Sequence, residues 1–186
     1  MNNDALLLPG TIDRLAKYLD ENPDVGIAAP AIYWASDPEH LWSAGGNLRQ
    51  CKMRFEQVDL AEAGQEQDGA VDVDFVSGCA LMIRSDLFER VGGFREEFFM
   101  YYEDADLCYK VKQMDYRISV LPSSRVLHEV AATSGGELSK LAIYFSDRNR
   151  IILSRDILSL VTRSIFIIYK TIVNVIISAK FILWQG

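Results

Sequence analysis

Residues 98–111 read FFMYYEDADLCYKV, with Glu103, Asp104 and Asp106 inside four positions directly after five bulky residues, four of them aromatic. One carboxylate is enough to cap the start of a helix and favour its positive dipole end, worth about 0.5–2 kcal/mol. Three exceed that need. The aromatic run Phe98, Phe99, Tyr101 and Tyr102 supplies a partly dry wall, and exclusion of water raises a carboxylate's pKa toward the range useful to a general base. Two further residues have the right chemistry. His128 closes the strand-like RVLH and enters a loop of small polar residues; alone it is a structural histidine or a metal ligand. Asp4 sits in NND at the start of the chain. Metal sites that serve phosphates combine carboxylates with few other protein ligands and leave room for substrate oxygens. A metal-dependent phosphohydrolase using Asp4, Asp104 and His128 is therefore one reading of these residues.

The elements that must position these groups follow from periodicity. Ile12, Leu15, Ala16 and Leu19 recur at helical spacing, with Thr11 as N-cap and Pro23 as stop. Val25–Ala29 is a short apolar strand of the buried α/β kind. Ser36–Gly69, with Gly45-Gly46 and the acidic DLAEAGQEQDGA, reads as loops. A strand is expected from Phe75 to Ile83, then a short helix with Asp86 and Glu89 at capping-box separation, ended by Gly92-Gly93. Leu107, Val111 and Met114 place a helix from about Asp104, so the acids stand at its N-terminus, and YRISVLP returns as a strand before Pro122. ELSKLAIYFSDRNRIILSRDIL is helical, with Leu138, Leu141, Phe145 and Ile152 on one stripe and Arg148-Asn149 where another apolar residue was due.

The 186 residues suit one ordinary domain, and 49% apolar with 24% charged residues is a globular composition. A net charge of −7 argues against a nucleic-acid surface held by phosphate contacts. Cys51, Cys79 and Cys108 are odd in number, far apart and without CxxC spacing, which indicates neither a disulfide framework nor a thiolate zinc site and suits a reducing cytosol. The start MNNDALLLPGTIDRL lacks the pattern of a signal peptide. Beyond Asp156 there is no acid, only Arg163, Lys170 and Lys180. Ser164–Trp184 is long enough to span a bilayer. Its twelve Ile, Val, Leu and Phe residues gain about 4–7 kcal/mol, against about 2.5–3.5 for a central lysine, so spanning is marginal. Arg163, Lys170, Asn174 and Ser178 form a polar stripe, which favours a helix lying in the membrane interface or one whose stripe faces protein.

Taken together, NND, NPDVGIAAPAI, SAGG, FVSGCALMIRSDLFERVGGF, EEFFMYYEDADLCYKVK, YRISVLPSSRVLHEVAATSGG and YFSDRNRIIL resemble the family 2 glycosyltransferases, in particular the bacterial rhamnosyltransferase-like branch. The resemblance runs from Asn2 to about Arg155. It implies an α/β, partial GT-A-type fold, a mostly parallel sheet with flanking helices, plus a C-terminal hydrophobic or amphipathic helix. Residues 1–156 would then form the acceptor-side and metal-site portion, and 157–186 a membrane-associating tail. The resemblance makes Asp104 the catalytic base and Glu103 its acceptor-binding neighbour, with Gly78 and Tyr102 also on the acceptor side. Asn3, Asp4, Arg148 and Asn149 fall to the donor diphosphate, and Asp4 with His128 to a Mg2+ or Mn2+ ion.

The implied activity is inverting transfer from a nucleotide-sugar donor to a cell-surface glycan or lipid-linked acceptor, at the cytoplasmic face of the membrane. The sequence departs from the family pattern at Arg95, where an aspartate is usual after GGF, and at Asp115, where a glycine usually ends the helix. Family members place nucleotide-binding β-α units before NND, so this chain is expected to be a C-terminal portion with a missing N-terminal half. A catalytically silent fragment or membrane-side binding module is the alternative from a different class.

Overall fold

Two apolar strands, β2 (Val25–Trp34) and β8 (Arg117–His128), run parallel at the centre of the fold. The structure, a computed structural model of the chain, describes residues 1–60, 69–129 and 140–184, the last of these with side chains to 176. Alternation along each strand gives the sheet two apolar faces. Ile27, Ala29, Ile118 and Val120 pack against Leu87 of helix α2 (Ser85–Arg90) and Leu107 and Val111 of α3 (Glu103–Lys112). Ala28 and Leu121 meet Leu15 and Leu19 of α1 (Thr11–Glu21). The central pair is thus covered on both sides, as a parallel pair requires.

The remaining strands are antiparallel additions. β1 (Ala5–Leu7) and β6 (Val71–Asp72) join β8, while β3 (Asp37–Ser43) and β7 (Met82–Ile83) join β2. The sheet is therefore mixed rather than mostly parallel, because the short connection from β2 to β3 allows only an antiparallel neighbour. Both central strands outrun the proline limits expected from sequence. Pairing steps from Pro30 with Leu121 to Ala31 with Arg125, so residues 122–124 bulge where the two prolines have no N–H to give the ladder.

Three other expectations change. Thr11 is the first residue of α1 behind Gly10 (φ 76°), and its hydroxyl donates to the Arg125 carbonyl at 3.0 Å instead of capping. Of the expected Phe75–Ile83 strand, Met82–Ile83 pairs as a strand and Phe75 makes a single antiparallel bridge to Gly46; a turn at Gly78-Cys79 interrupts the rest. The stretch read as loops contains β3 and a hairpin, β4 (Gly46–Arg49) and β5 (Arg54–Gln57), joined by a 3₁₀ turn at Gln50–Lys52. Residues 61–68 of the acidic segment, the loop 130–139 with Leu138, and the side chains of Ser178 and Lys180 lie outside the described residues.

A second core joins the hairpin to the C-terminal helices α4 (Lys140–Ile157) and α5 (Leu160–Trp184). Met53, Phe98, Ala105, Leu153, Leu158 and Phe166 pack there. Of the polar stripe on α5, Lys170 faces protein: it is buried and paired with Asp147 of α4. The opposite side leaves Ile165, Ile168, Ile172 and Val175 exposed. Among the described residues no helix is long and apolar enough to cross a membrane.

Candidate active site

The three acids of the opening motif have separate surroundings. Asp106 turns inward, with its side chain 2% exposed, between Arg95 at 2.7 Å and Lys110 at 3.0 Å. Arg95 also reaches Asp156 at 2.8 Å and covers the Phe98 ring. The unusual arginine at position 95 is therefore the counter-ion of a structural carboxylate. Asp104 and Glu103 instead line a cavity of about 530 Å³, together with Tyr102, Phe55, Phe75 and Arg54.

Asp104 is gripped by its backbone surroundings. Its Oδ2 accepts from the Gly78 N–H at 2.9 Å and its Oδ1 from the Ala105 N–H at 2.8 Å. Burial pushes its pKa up to about 7, and the neighbouring Glu103 charge pushes the same way, outweighing the two N–H donors. Burial also raises Glu103, whose buried Oε2 has no hydrogen-bond partner. Gly78 lets the backbone come close: a Cβ there would lie 3.3 Å from the Asp104 Cβ, a tight contact that would press on Asp104, and 3.5 Å from its Oδ2. Gly78 thus acts through Asp104. Tyr102 forms a wall, donating its hydroxyl to the Met53 carbonyl at 3.3 Å, while burial raises that phenol to about 12 and keeps it neutral.

The turn that delivers these residues is conformationally costly. Phe99, Tyr101 and Tyr102 all have positive φ, 52°, 64° and 68°, at about 1–2 kcal/mol for each such residue. Asn149 holds the turn in place. Fully buried on α4, it directs its Nδ2 at the carbonyls of Phe98, Met100 and Tyr101 at 2.7, 2.8 and 2.7 Å. Two hydrogens serve three acceptors, so one is shared. Arg148 donates to the Glu97 carbonyl at 2.8 Å and to Asn149 Oδ1 at 2.7 Å. The pair expected at the donor diphosphate therefore lies against the loop that leads to Asp104, and the Asn149 amide is fully committed there.

Asp4 and His128 do converge. Antiparallel pairing of β1 with β8 brings them to one strand end, with Asp4 Oδ1 3.2 Å from His128 Nε2. Both side chains are nearly covered, and Asp4 Oδ1 and His128 Nδ1 are buried without a hydrogen-bond partner. The Asp4 carboxylate and the His128 Nε2 that faces it are a donor pair that would suit a shared cation. Among the described residues no cluster of three His, Cys, Asp or Glu side chains surrounds them, so a cation here would rely on ligand oxygens. Asn3 is exposed beside Asp4. The Asn2 N–H donates to the Cys79 carbonyl at 2.8 Å, one residue from the Gly78 that grips Asp104, so one turn ties the two halves of the site.

Other contributors were missed from sequence: Lys52, Arg54, Phe55, Glu56, Phe75 and Ser146 all line the cavity. Lys52 and Arg54 flank Met53, and the cation-apolar-cation alternation KMR at a hairpin tip was the available signal.

Comparison with known proteins bears on this arrangement. A profile of the family described as Glycosyltransferase like family 2 matches residues 1–153. The low-salt glycan biosynthesis hexosyltransferase Agl10 of Haloferax volcanii is 31% identical over 106 residues, 57% of this chain and 34% of that protein. The N-acetylglucosaminyl-diphospho-decaprenol L-rhamnosyltransferase of Mycobacterium tuberculosis is 40% identical over 63 residues, 34% of this chain and 20% of that protein. The chain thus spans only about a third or less of these relatives. The crystal structure of GalNAc-T7 with UDP, GalNAc and Mn2+ superposes with a TM-score of 0.58 at 15% identity, over 77% of this chain and 29% of that one. At that identity the likeness is one of fold, a GT-A-like arrangement. On the match over residues 1–153, the chain belongs to the glycosyltransferase-like family 2.

Proposed function

We propose that the chain supplies the metal-side and acceptor half of an inverting glycosyltransferase that uses a nucleotide-sugar donor and a glycan or lipid-linked acceptor. The observation that carries this is Asp104: a carboxylate at the floor of a sugar-sized cavity, poised near neutrality and fixed by two backbone N–H groups. Each Asp104 oxygen spends one lone pair on a backbone donor and keeps one free. A free lone pair takes the proton of the acceptor hydroxyl as that oxygen bonds to the anomeric carbon and the carbon-diphosphate bond breaks. General-base catalysis of this kind contributes about 10²- to 10⁴-fold. Glu103, unpartnered beside it, accepts a hydrogen bond from another acceptor hydroxyl, and Phe55, Phe75 and Tyr102 exclude water around the sugar. Asp4 and His128 would hold Mg2+ or Mn2+, which supplies positive charge for the departing diphosphate. Asn3 stands on the nucleotide side. Arg148 and Asn149 serve the donor, if at all, through the loop they hold.

The exposed apolar side of α5, on a segment without acids, rests on the membrane, at its cytoplasmic face. The alternative reading is a catalytically silent binding module. Titration of the chain with Mn2+ and UDP separates the two. Saturable Mn2+ binding, weakened by Asp4→Ala and strengthened by UDP, is expected of the transferase half. Absence of Mn2+ binding, or binding indifferent to Asp4→Ala, contradicts it.

A further inference from the structure

Three residues of α4, Ser146, Asn149 and Arg150, stand at i, i+3 and i+4, which places them on one face of the helix. Ser146 lines the cavity of Asp104, and the other two hold its walls. Asn149 holds the turn before α3 through the carbonyls of Phe98, Met100 and Tyr101. Arg150 holds the hairpin of β4 and β5, its Nη2 donating to the Lys52 carbonyl at 3.2 Å. The two walls meet at one hydrogen bond, from the Tyr102 hydroxyl to the carbonyl of Met53, the residue after Lys52. Two positions further on, Phe55 stacks on Phe75 at 4.5 Å and lines the cavity with Asp104.

Arg150 itself is 8% exposed and stands outside the cavity lining. Its guanidinium lies over the Phe166 ring of α5 at 6.0 Å and 3.7 Å from Asp147, whose carboxylate also holds Lys170 of α5. A guanidinium stays charged when buried, so its surroundings must compensate the loss of water. Here a backbone carbonyl, an aromatic ring and a carboxylate do so, and through the carbonyl Arg150 acts on the turn. Met53 attaches the same turn by packing, fully buried with Phe166 in the second core. Its φ of 48° is a conformation that a non-glycine residue keeps only when its surroundings impose it.

We propose that Arg150 is a positioning residue for the transfer reaction: oriented by Asp147 and α5, it fixes the hairpin turn so that Tyr102 and Phe55 stay closed against Asp104. This rests on the reading of Asp104 as base, but its test reads the wall and not the transfer. The ionisable groups around Asp104 are Glu103, Tyr102 and Cys108 on its own segment and Lys52, Arg54 and Glu56 on the hairpin, with Asp147 and Arg150 behind Tyr102. Loss of the Arg150 charge, or withdrawal of the hairpin with its net positive charge, would by itself raise the Asp104 pKa. Entry of water lowers it, and burial is the largest cause of its elevation.

The experiment is carbon-13 NMR titration of the Asp104 carboxyl in the chain, its resonance identified by its loss in Asp104→Asn. The unmodified chain should titrate at about 7. Arg150→Met keeps the apolar stem and loses the donors, and should lower the midpoint by about one pH unit or more; Arg150→Lys, with its charge and fewer donors, should lower it less. Leu19→Ala, in the core of α1, loosens the fold without touching either wall and should leave the midpoint in place. A midpoint that stays or rises in Arg150→Met overturns the proposal, as does one that falls equally in Leu19→Ala or lies near 3.8 in the unmodified chain. If Arg150→Met does not fold, an unmoved midpoint in Arg150→Lys overturns it. Transfer that survives Asp104→Asn would deny the base without moving these midpoints, so the two readings fail separately.

Discussion

Glu103, Asp104 and Asp106 share one motif and almost one turn of helix, yet burial and partners separate their chemistry. Asp106 is neutralised by Arg95 and Lys110, whereas Asp104 has backbone donors, a dry wall and a like-charged neighbour. The raised pKa of Asp104 makes a stability prediction. The folded state binds this proton more tightly than the unfolded chain, whose group has a value near 3.8. The resulting stabilisation is present below about 3.8 and is lost as pH rises through about 7. Asp104→Asn removes the buried charge but sets its amide NH2 against one backbone N–H, so its stability should stay level between pH 4 and pH 8 while that of the unmodified protein falls by on the order of 1 kcal/mol or more. Thermal denaturation at the two pH values reads this directly; the same change in both proteins would mean that the carboxylate is not desolvated. The position of Asp104 at the start of α3 was legible in the sequence from apolar spacing, while the role proposed for it came from the family resemblance. The counter-ion role of Arg95 was not legible, because its partners, Asp106 and Asp156, are brought to it only by folding.

At the scale of elements, α1 and α3 were legible from apolar spacing, and the acids were correctly placed at the start of α3. Helix α2 was read from its glycine stop and from a capping box that the structure does not form, since Arg84 is the N-cap and Asp86 lies inside the helix. The loop before α3 was not legible. Aromatic residues disfavour positive φ, and three of them adopt it between 99 and 102 only because Asn149, some fifty positions later, satisfies their turn. The hairpin from Gly46 to Gln57 escaped detection for a related reason: its one deeply buried side chain, Met53, faces a core built by α4 and α5. Asn149→Ala leaves three carbonyls short of a donor. It should cost about 2–3 kcal/mol in chemical denaturation and lower transfer, because the turn carrying Glu103 and Asp104 relaxes. Unchanged stability would show that the loop holds itself.

For the whole molecule, the charge distribution and α5 matter most. The acids end at Asp156, and α5 turns Lys170 inward and its isoleucines outward, the reverse of a helix on a solvated domain. The sequence showed the polar stripe but left open whether it met headgroups or protein; the Asp147 partner on α4 decides for protein at Lys170. The outward side then predicts membrane affinity. The chain should co-sediment with phosphatidylglycerol-containing vesicles, and Ile168→Asp/Ile172→Asp, two changes at exposed positions, should reduce the bound fraction several-fold. Equal sedimentation of this variant would leave α5 without a lipid-facing role.

The family match and the GT-A likeness set the architecture, but the claimed chemistry stands on one carboxylate. Its decisive measurement is sugar transfer by the enzyme that carries this chain together with its nucleotide-sugar half, with and without Asp104→Asn, across pH. The unmodified enzyme should lose kcat/KM as pH falls through about 7, and Asp104→Asn should lower it about 10²- to 10⁴-fold above that pH and remove the fall below it, while acceptor binding persists. A folded Asp104→Asn enzyme with unchanged kcat/KM and the same pH profile would contradict the account.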